Sequence, residues 1–263
     1  MRINNNITAI NSHRQYGINN GQIGKNVEKL SSGFRVNRAG DDAAGLAISE
    51  KMRTQIRGLN MASKNSQDGI SLVQTAEGAM QTVHNIMQRM RELAVQSANG
   101  TNDDCVDRNA LDLEFSQLKL EISQIETTVK FNDMDIFGKT FVIQSGANKD
   151  DETDFFVGKL GTISDSIGAQ TAASAAIENM TKAINSLSTT RAELGAIQNR
   201  LEFKIQNLDN SAENLAAAES RIRDVDMAKM MTEFTKNNIL FQASTAMLAQ
   251  ANALPQSVLQ LVG

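Results

Sequence analysis

The sequence predicts a mainly α-helical protein. The expected fold is an elongated antiparallel coiled-coil or helical bundle formed by the N- and C-terminal halves, with a small β-hairpin insertion. Three observations carry this. The 263 residues contain a single Pro, and Pro breaks helices and marks turns. Met180, Leu187, Leu194, Leu201, Leu208, Leu215 and Ile222 recur every seven positions without a miss, which is a coiled-coil seam. A matching seam in the first half, Val73, Ala76, Met80, Val83, Met87, Met90 and Ala94, alternates spacings of three and four.

In chain order, Ile3, Ile7 and Ile10, then Val27, Leu30 and Phe34, lie at helical spacing. Gly17, Asn20, Gly21 and Gly24 separate the two sets and are poor helix formers, so this helix is marginal alone. Gly33 suits its end and Asp41 or Asp42 the next N-cap. A helix from Ala43 to Ala98 follows, about 80 Å long, stopped by Asn99-Gly100. The next runs from Asp107 to Lys130 on Leu111, Phe115, Leu118, Ile122, Ile125 and Val129, and Phe131-Asn132-Asp133 ends it. Thr140–Gln144 and Asp154–Val157 read as two short strands around a polar turn. In the C-terminal seam Ile177, Ile184 and Ile205 fill the second row, which Arg191, Gln198 and Glu219 interrupt. Met227, Met230, Met231, Phe234, Leu240, Met247 and Leu248 continue it more weakly, and Pro255 is expected to close the last helix.

Composition narrows the function. Lys and Arg number 26 against 30 acidic residues, net charge −4. A nucleic-acid or anionic-membrane binder would carry a basic excess. One Cys excludes an internal disulfide framework and multi-Cys metal sites. His13 and His84 stand far apart and form no His-Glu-x-x-His arrangement. No cofactor, metal or catalytic constellation is indicated. Met80, Met87 and Met90 read as core packing, Asp41-Asp42 as a cap or turn, and Cys105 as a loop thiol. Asn6, Asn99 and Asn179 head short Asn-x-Ser/Thr sequons that carry little weight alone. The N-terminus lacks the apolar core of a signal peptide and no run is long enough to span a bilayer. The expectation is a cytoplasmic protein, or export without a cleaved signal.

Two long blocks then resemble one family. Asn11-Ser12-His13-Arg14, the run from Leu30 to Ile48 and Gln67 to Gly78 are similar to the N-terminal signature of bacterial flagellins. Arg221 to Ala228 and Ala246 to Leu259 are similar to their C-terminal signature. The resemblance covers nearly the whole chain and implies a short flagellin without the variable outer domains. It implies an inner core domain from 1–42 and 227–263, with a connecting spoke, and an outer helical core from 43–138 and 169–226. Residues 139–168 are then the hairpin remnant.

The resemblance further implies a structural subunit, not an enzyme, that polymerises with itself into the extracellular bacterial flagellar filament for swimming motility. Ile3, Ile7, Ile10, Val27, Leu30, Phe234, Leu240, Met247 and Leu248 are assigned to inner-core assembly. Val73, Met80, Met87, Leu187, Leu194, Leu201, Leu208, Leu215 and Ile222 form the seam. Arg35, Arg38, Asp41 and Asp42 form the spoke turn, with either an intermolecular or a purely intramolecular role. Implied partners are the flagellar export apparatus, an export chaperone at the C-terminal helix, and filament cap and junction proteins. Gln88 to Gln96 resembles the flagellin segment recognised by a host Toll-like receptor, with Arg89, Leu93 and Gln96 on one helix face and Glu114 as the acidic partner. The loop from Gly100 to Asp107 departs from the family pattern. A hook–filament junction protein and a cytoplasmic coiled-coil adaptor remain alternatives. Polymerisation into long filaments discriminates the first, and retention in the cell with stably folded termini the second.

Overall fold

The computed structural model describes residues 6–103, 106–161 and 165–262, with side chains as far as Ala253. Ile3 and Cys105 lie outside the described residues. Helix α1 spans Ile7–Ser32. The Asn6 carboxamide oxygen caps it, accepting from the Ala9 N–H at 3.1 Å, one of the donors that a helix start leaves unpaired. Gly33 ends it at φ +73°, its N–H returning to the Lys29 carbonyl at 2.9 Å. A left-handed residue there favours glycine, which has no Cβ to clash.

Helix α2 spans Ala43–Ser97. Of the two adjacent acids, Asp42 is the cap: its Oδ1 accepts from the Gly45 N–H at 2.8 Å. Asp41 turns back instead. Helix α3 covers Asp107–Thr128 with Phe115 and Ile122 buried. It does not simply stop at Phe131-Asn132-Asp133. Strands β1 (Lys130–Phe131) and β2 (Met134–Asp135) make a tight hairpin, with Asn132 and Asp133 at φ 49° and 60°. Both turn residues need positive φ, which Asn and Asp tolerate best among side-chain-bearing residues. Ile136 and Phe137, buried directly after it, are core residues that helical periodicity did not reveal.

Strands β3 (Lys139–Gln144) and β4 (Glu152–Val157) form the expected antiparallel hairpin, pairing Lys139 with Val157 and Gln144 with Glu152. Its inner face carries Thr153, Phe155 and Val157, all buried. Phe141 stacks on Phe155 at 5.9 Å between ring centroids. Helix α4 spans Gln170–Arg223, and α5 spans Met227–Val262, capped by Asp226, which accepts from the Lys229 N–H at 3.1 Å.

The chain divides into two compact units, Met1–Thr54 with Glu213–Gly263, and Gln55–Ala212. In the second, α2 and α4 run antiparallel. Ser63 bonds Asp209 at 3.0 Å, Glu77 meets Arg191 at 3.6 Å, and Arg91 bonds Thr181 at 3.2 Å, so one number rises as the other falls. Between them lies one apolar core, which α3 and the β3–β4 hairpin complete. The seam residues Val73, Met80, Met87, Leu187, Leu194, Leu201 and Leu208 are all buried in it or along its continuation. Arg191 sits in the seam row at 25% side-chain exposure, paired with Glu77. Gly69 explains itself here: a Cβ on it would strike the Ile143 side chain of the hairpin. A mid-helix Gly costs about 1 kcal/mol relative to Ala, and close approach of another element is the usual reason to keep it.

In the first unit α1 and α5 are antiparallel, with Tyr16 and Phe241 rings 4.9 Å apart and Asn19 donating to the Ser244 hydroxyl at 2.9 Å. The seam weakens on entering this unit, where Leu215 and Ile222 are only half-buried. Helix α5 also corrects one expectation, because it runs on through Pro255 to Val262. Proline removes the N–H that would bond the carbonyl four residues back. That carbonyl, of Ala251, instead accepts from the Asn6 side-chain amide at 2.7 Å. The start of α1 thus satisfies the acceptor that Pro255 leaves free.

Candidate functional site

The α1–α5 pair buries little apolar surface. Among the described side chains its buried residues are Asn19, Asn26 and Ala251, while Ile7, Ile10, Val27 and Met247 are 48–63% exposed. Ile18, Ile239 and Leu240 also face outward. Asn26 is buried with its Nδ2 unpartnered among the described residues. Leu30, Phe234 and Leu248 are half-buried. The pairing of the two helices leaves these apolar side chains uncovered. Scattered exposed apolar residues are ordinary, whereas a contiguous set marks an interaction surface.

The two linkers of this unit form a junction. Phe34 and Asp224 make an antiparallel bridge. The Arg223 carbonyl accepts from the Arg35 N–H at 2.6 Å, and the Gly33 carbonyl from the Val225 N–H at 3.0 Å. The Arg35 guanidinium donates to the Ile222 carbonyl at 2.5 Å. Arg38 pairs with Glu28 at 2.8 Å. The centre is Arg223, 12% exposed at its side chain. It pairs with Glu50 at 2.7 Å and lies over the Phe34 ring at 4.7 Å. Of this junction, sequence reasoning picked out Arg35, Arg38, Asp41 and Asp42. It read Phe34 only as part of a helical spacing and missed Glu50 and Arg223; Arg223 lies in the C-terminal signature block, and Glu50 lies just past the Leu30–Ile48 block.

Asp41 locks the turn. Its Oδ2 accepts from the Arg38 N–H at 3.1 Å and the Asn37 N–H at 3.2 Å. These bonds, Arg38 first, hold its carboxyl below the ordinary value of 3.8. A depressed carboxyl stabilises the fold above the unfolded value and loses that contribution as pH falls through the folded one. The Asn37 and Arg38 amide proton shifts are therefore expected to titrate together by NMR with a midpoint below 3.8. A midpoint at or above it rejects the Asp41 lock.

In the other unit, Arg89 and Gln96 are exposed on α2, and the Arg89 guanidinium meets Glu114 of α3 at 3.0 Å. Glu114, then Glu92, hold the Arg89 pKa above its ordinary value. Leu93 departs from the expected shared face: it is 0% exposed and belongs to the intramolecular core. Its position on the helix is between the exposed face and the seam, and packing by the other core elements claims it. His84 has its Nε2 2.9 Å from the Gln88 amide. Among the described residues no group of His, Cys, Asp and Glu is placed to hold a metal, and no helix is long and apolar enough to cross a membrane.

Comparison with known proteins agrees with this architecture. Residues 3–141 match the bacterial flagellin N-terminal helical region and residues 177–262 the C-terminal helical region. A flagellin of Halalkalibacterium halodurans is 57% identical and one of Bacillus subtilis 50%, each alignment covering 100% of both chains. A flagellar filament core protein of Treponema maltophilum is 46% identical with the same coverage. The crystal structure of Bacillus cereus flagellin matches with a TM-score of 0.52 at 33% identity, covering 59% of this chain and 94% of that one. Paired terminal helices, an antiparallel helical core and a small hairpin, together with full-length identity to named flagellins, establish that the chain belongs to the bacterial flagellin family.

Proposed function

We propose that this chain is the structural subunit that polymerises, through α1 and α5, into the extracellular filament driving bacterial swimming. The observation that carries the reading is the apolar surface which the α1–α5 pair leaves exposed. One chain cannot cover that surface, and repeated head-to-tail contacts that do not close give an open helical polymer. Residues 1–42 and 227–263, with α1 and α5, are then the inner core and connecting spoke, and 43–138 with 169–226 the outer core. Residues 139–168 stand in place of outer domains, which makes for a comparatively smooth filament. Export without a cleaved signal, an export chaperone on α5, and cap and junction proteins at the filament ends belong to the same reading. Seeded polymerisation watched by electron microscopy tests it. Full-length chain is expected to give long filaments, and a variant ending at Val225 none. A full chain that stays monomeric with helical termini favours the junction or adaptor alternatives.

The same reading makes the chain a ligand of a host Toll-like receptor through the Arg89–Gln96 segment. The burial of Leu93 reassigns the contact to Arg89, Gln96 and Glu114, with Leu93 supporting the helix from within. Arg89→Ala with Gln96→Ala is expected to cut receptor reporter signalling roughly tenfold or more, as loss of an interface Arg does. An unchanged response at equal monomer concentration rejects the assignment.

A further inference from the structure

The turn after α2 carries a chemically unstable pair. Asn99 and Gly100 are both exposed. Among the described residues neither the Asn99 side-chain amide nor the Gly100 N–H has a hydrogen-bond partner. The Asn99 main-chain carbonyl, in contrast, is well held. It accepts from Arg108 Nη2 at 3.0 Å and from the Asn102 N–H at 3.3 Å. Arg108 is 4% exposed and also donates through Nε to the Ser97 carbonyl at 2.9 Å. The chain's other Asn-Gly pair, Asn20-Gly21, lies inside α1, where the helix ladder holds the backbone N–H groups.

We propose that Asn99-Gly100 is a self-modifying site, which forms a succinimide and then isoaspartate with Arg108 stabilising the charge that develops. Water or hydroxide first removes the Gly100 amide proton. The negative charge is shared between that nitrogen and the Asn99 carbonyl oxygen, where a guanidinium donor already sits; fixed donors aimed at developing charge stabilise it without reorganisation. The Gly100 nitrogen attacks the Asn99 side-chain carbonyl carbon. A C–N bond forms, the side-chain nitrogen takes back one proton from water as its bond to that carbon breaks, and ammonia leaves. Glycine presents no Cβ to obstruct the closure.

Water then opens the five-membered imide. Attack at the Asn99 main-chain carbonyl breaks its bond to Gly100, and the chain continues through the former side chain as isoaspartate. The released carboxylate lies beside Arg108. Attack at the other carbonyl gives aspartate. Arg108 polarises the first carbonyl, so isoaspartate dominates. Either product adds one negative charge to the α2–α3 turn, and isoaspartate adds one methylene to its backbone.

The test incubates the full-length chain in warm, mildly alkaline buffer. Peptide mass spectrometry follows the amide-to-acid conversion, and labelling by an isoaspartyl methyltransferase identifies the isomer. A synthetic peptide of residues 94–103, which lacks Arg108, serves as the clock. Asn99 in the folded chain is expected to convert at least as fast as in the peptide. Arg108→Lys is expected to slow it about tenfold, the order set by one charge-assisted hydrogen bond, and to lower the isoaspartate fraction. Gly100→Ala is expected to suppress conversion, and it fits, since an added Cβ would meet only the Gln170 Nε2 at 3.7 Å.

An Asn99 that outlasts the peptide overturns the site. Conversion as fast or faster in Arg108→Lys overturns the role of Arg108, because a purely structural arginine would hold the turn and retard closure. Circular dichroism accompanies each variant. If Arg108→Lys loses its helix signal, the peptide comparison and Gly100→Ala decide.

Discussion

Leu201→Asp is expected to unfold most of the seam, not merely loosen it. Leu201 is 0% exposed, on the α4 face that meets Gly69 of α2. Removing a buried Leu side chain costs about 2–5 kcal/mol. Placing a carboxylate there adds several more, or forces it to take up a proton. Whole domains hold only about 5–15 kcal/mol, so this single change consumes most or all of the margin. A thermal melt by far-UV circular dichroism checks it against Phe203→Asp. Phe203 is 71% exposed two residues away, and its replacement is expected to change stability by no more than about 0.5 kcal/mol. Equal effects from the two variants would reject the assignment of Leu201 to the seam.

The second large effect is expected at the junction of the linkers. Arg223→Ala removes the ion pair to Glu50 and the cation over Phe34 together. The pair is largely shielded on the Arg223 side and half open on the Glu50 side, which discounts it. The two contacts together are worth about 2–3 kcal/mol. The Arg35 and Val225 amides, which bond across the junction, are therefore expected to lose roughly thirtyfold or more of their hydrogen-exchange protection. Seeded filament growth should fall with them. Arg221→Ala, on the exposed side of the same helix turn, is the control and is expected to leave both unchanged. Retained protection in Arg223→Ala would mean that the backbone bridge holds the junction without the side chain.

These two residues were legible in the sequence to different degrees. Leu201 belongs to a seven-residue repeat, and a repeat read along one helix announces its own buried face. Arg223 belongs to no pattern. Its partners Glu50 and Phe34 are far away in the chain, and nothing local to Arg223 distinguishes it from Arg221. The charged spoke turn falls between these cases. Adjacent acids after a Gly-containing break signalled a cap. Which acid caps the helix and which locks the preceding turn depends on backbone direction, so Asp42 and Asp41 were interchangeable until the fold separated them.

The misread elements share a cause. Pro255 reads as a helix end because its missing N–H strands a carbonyl, yet a side chain from the opposite end of the chain satisfies that carbonyl. Leu93 reads as part of an exposed face because spacing alone places it beside Arg89 and Gln96. Its burial follows from the shared core to which elements far along the chain contribute, none of which its own helix encodes. The β1–β2 hairpin escaped because strands of two residues are too short for any periodicity to register.

The sequence by itself determined the helix positions, most of the seam and the family, because helical periodicity, caps and long signature blocks are local properties written along one segment. Only the tertiary structure decided which apolar side chains of α1 and α5 stay uncovered, how Arg223 ties the linkers, and why Gly69 and Pro255 are tolerated. Each of these depends on what distant parts of the chain bring to a site: a steric neighbour, a counter-charge or a hydrogen-bond donor.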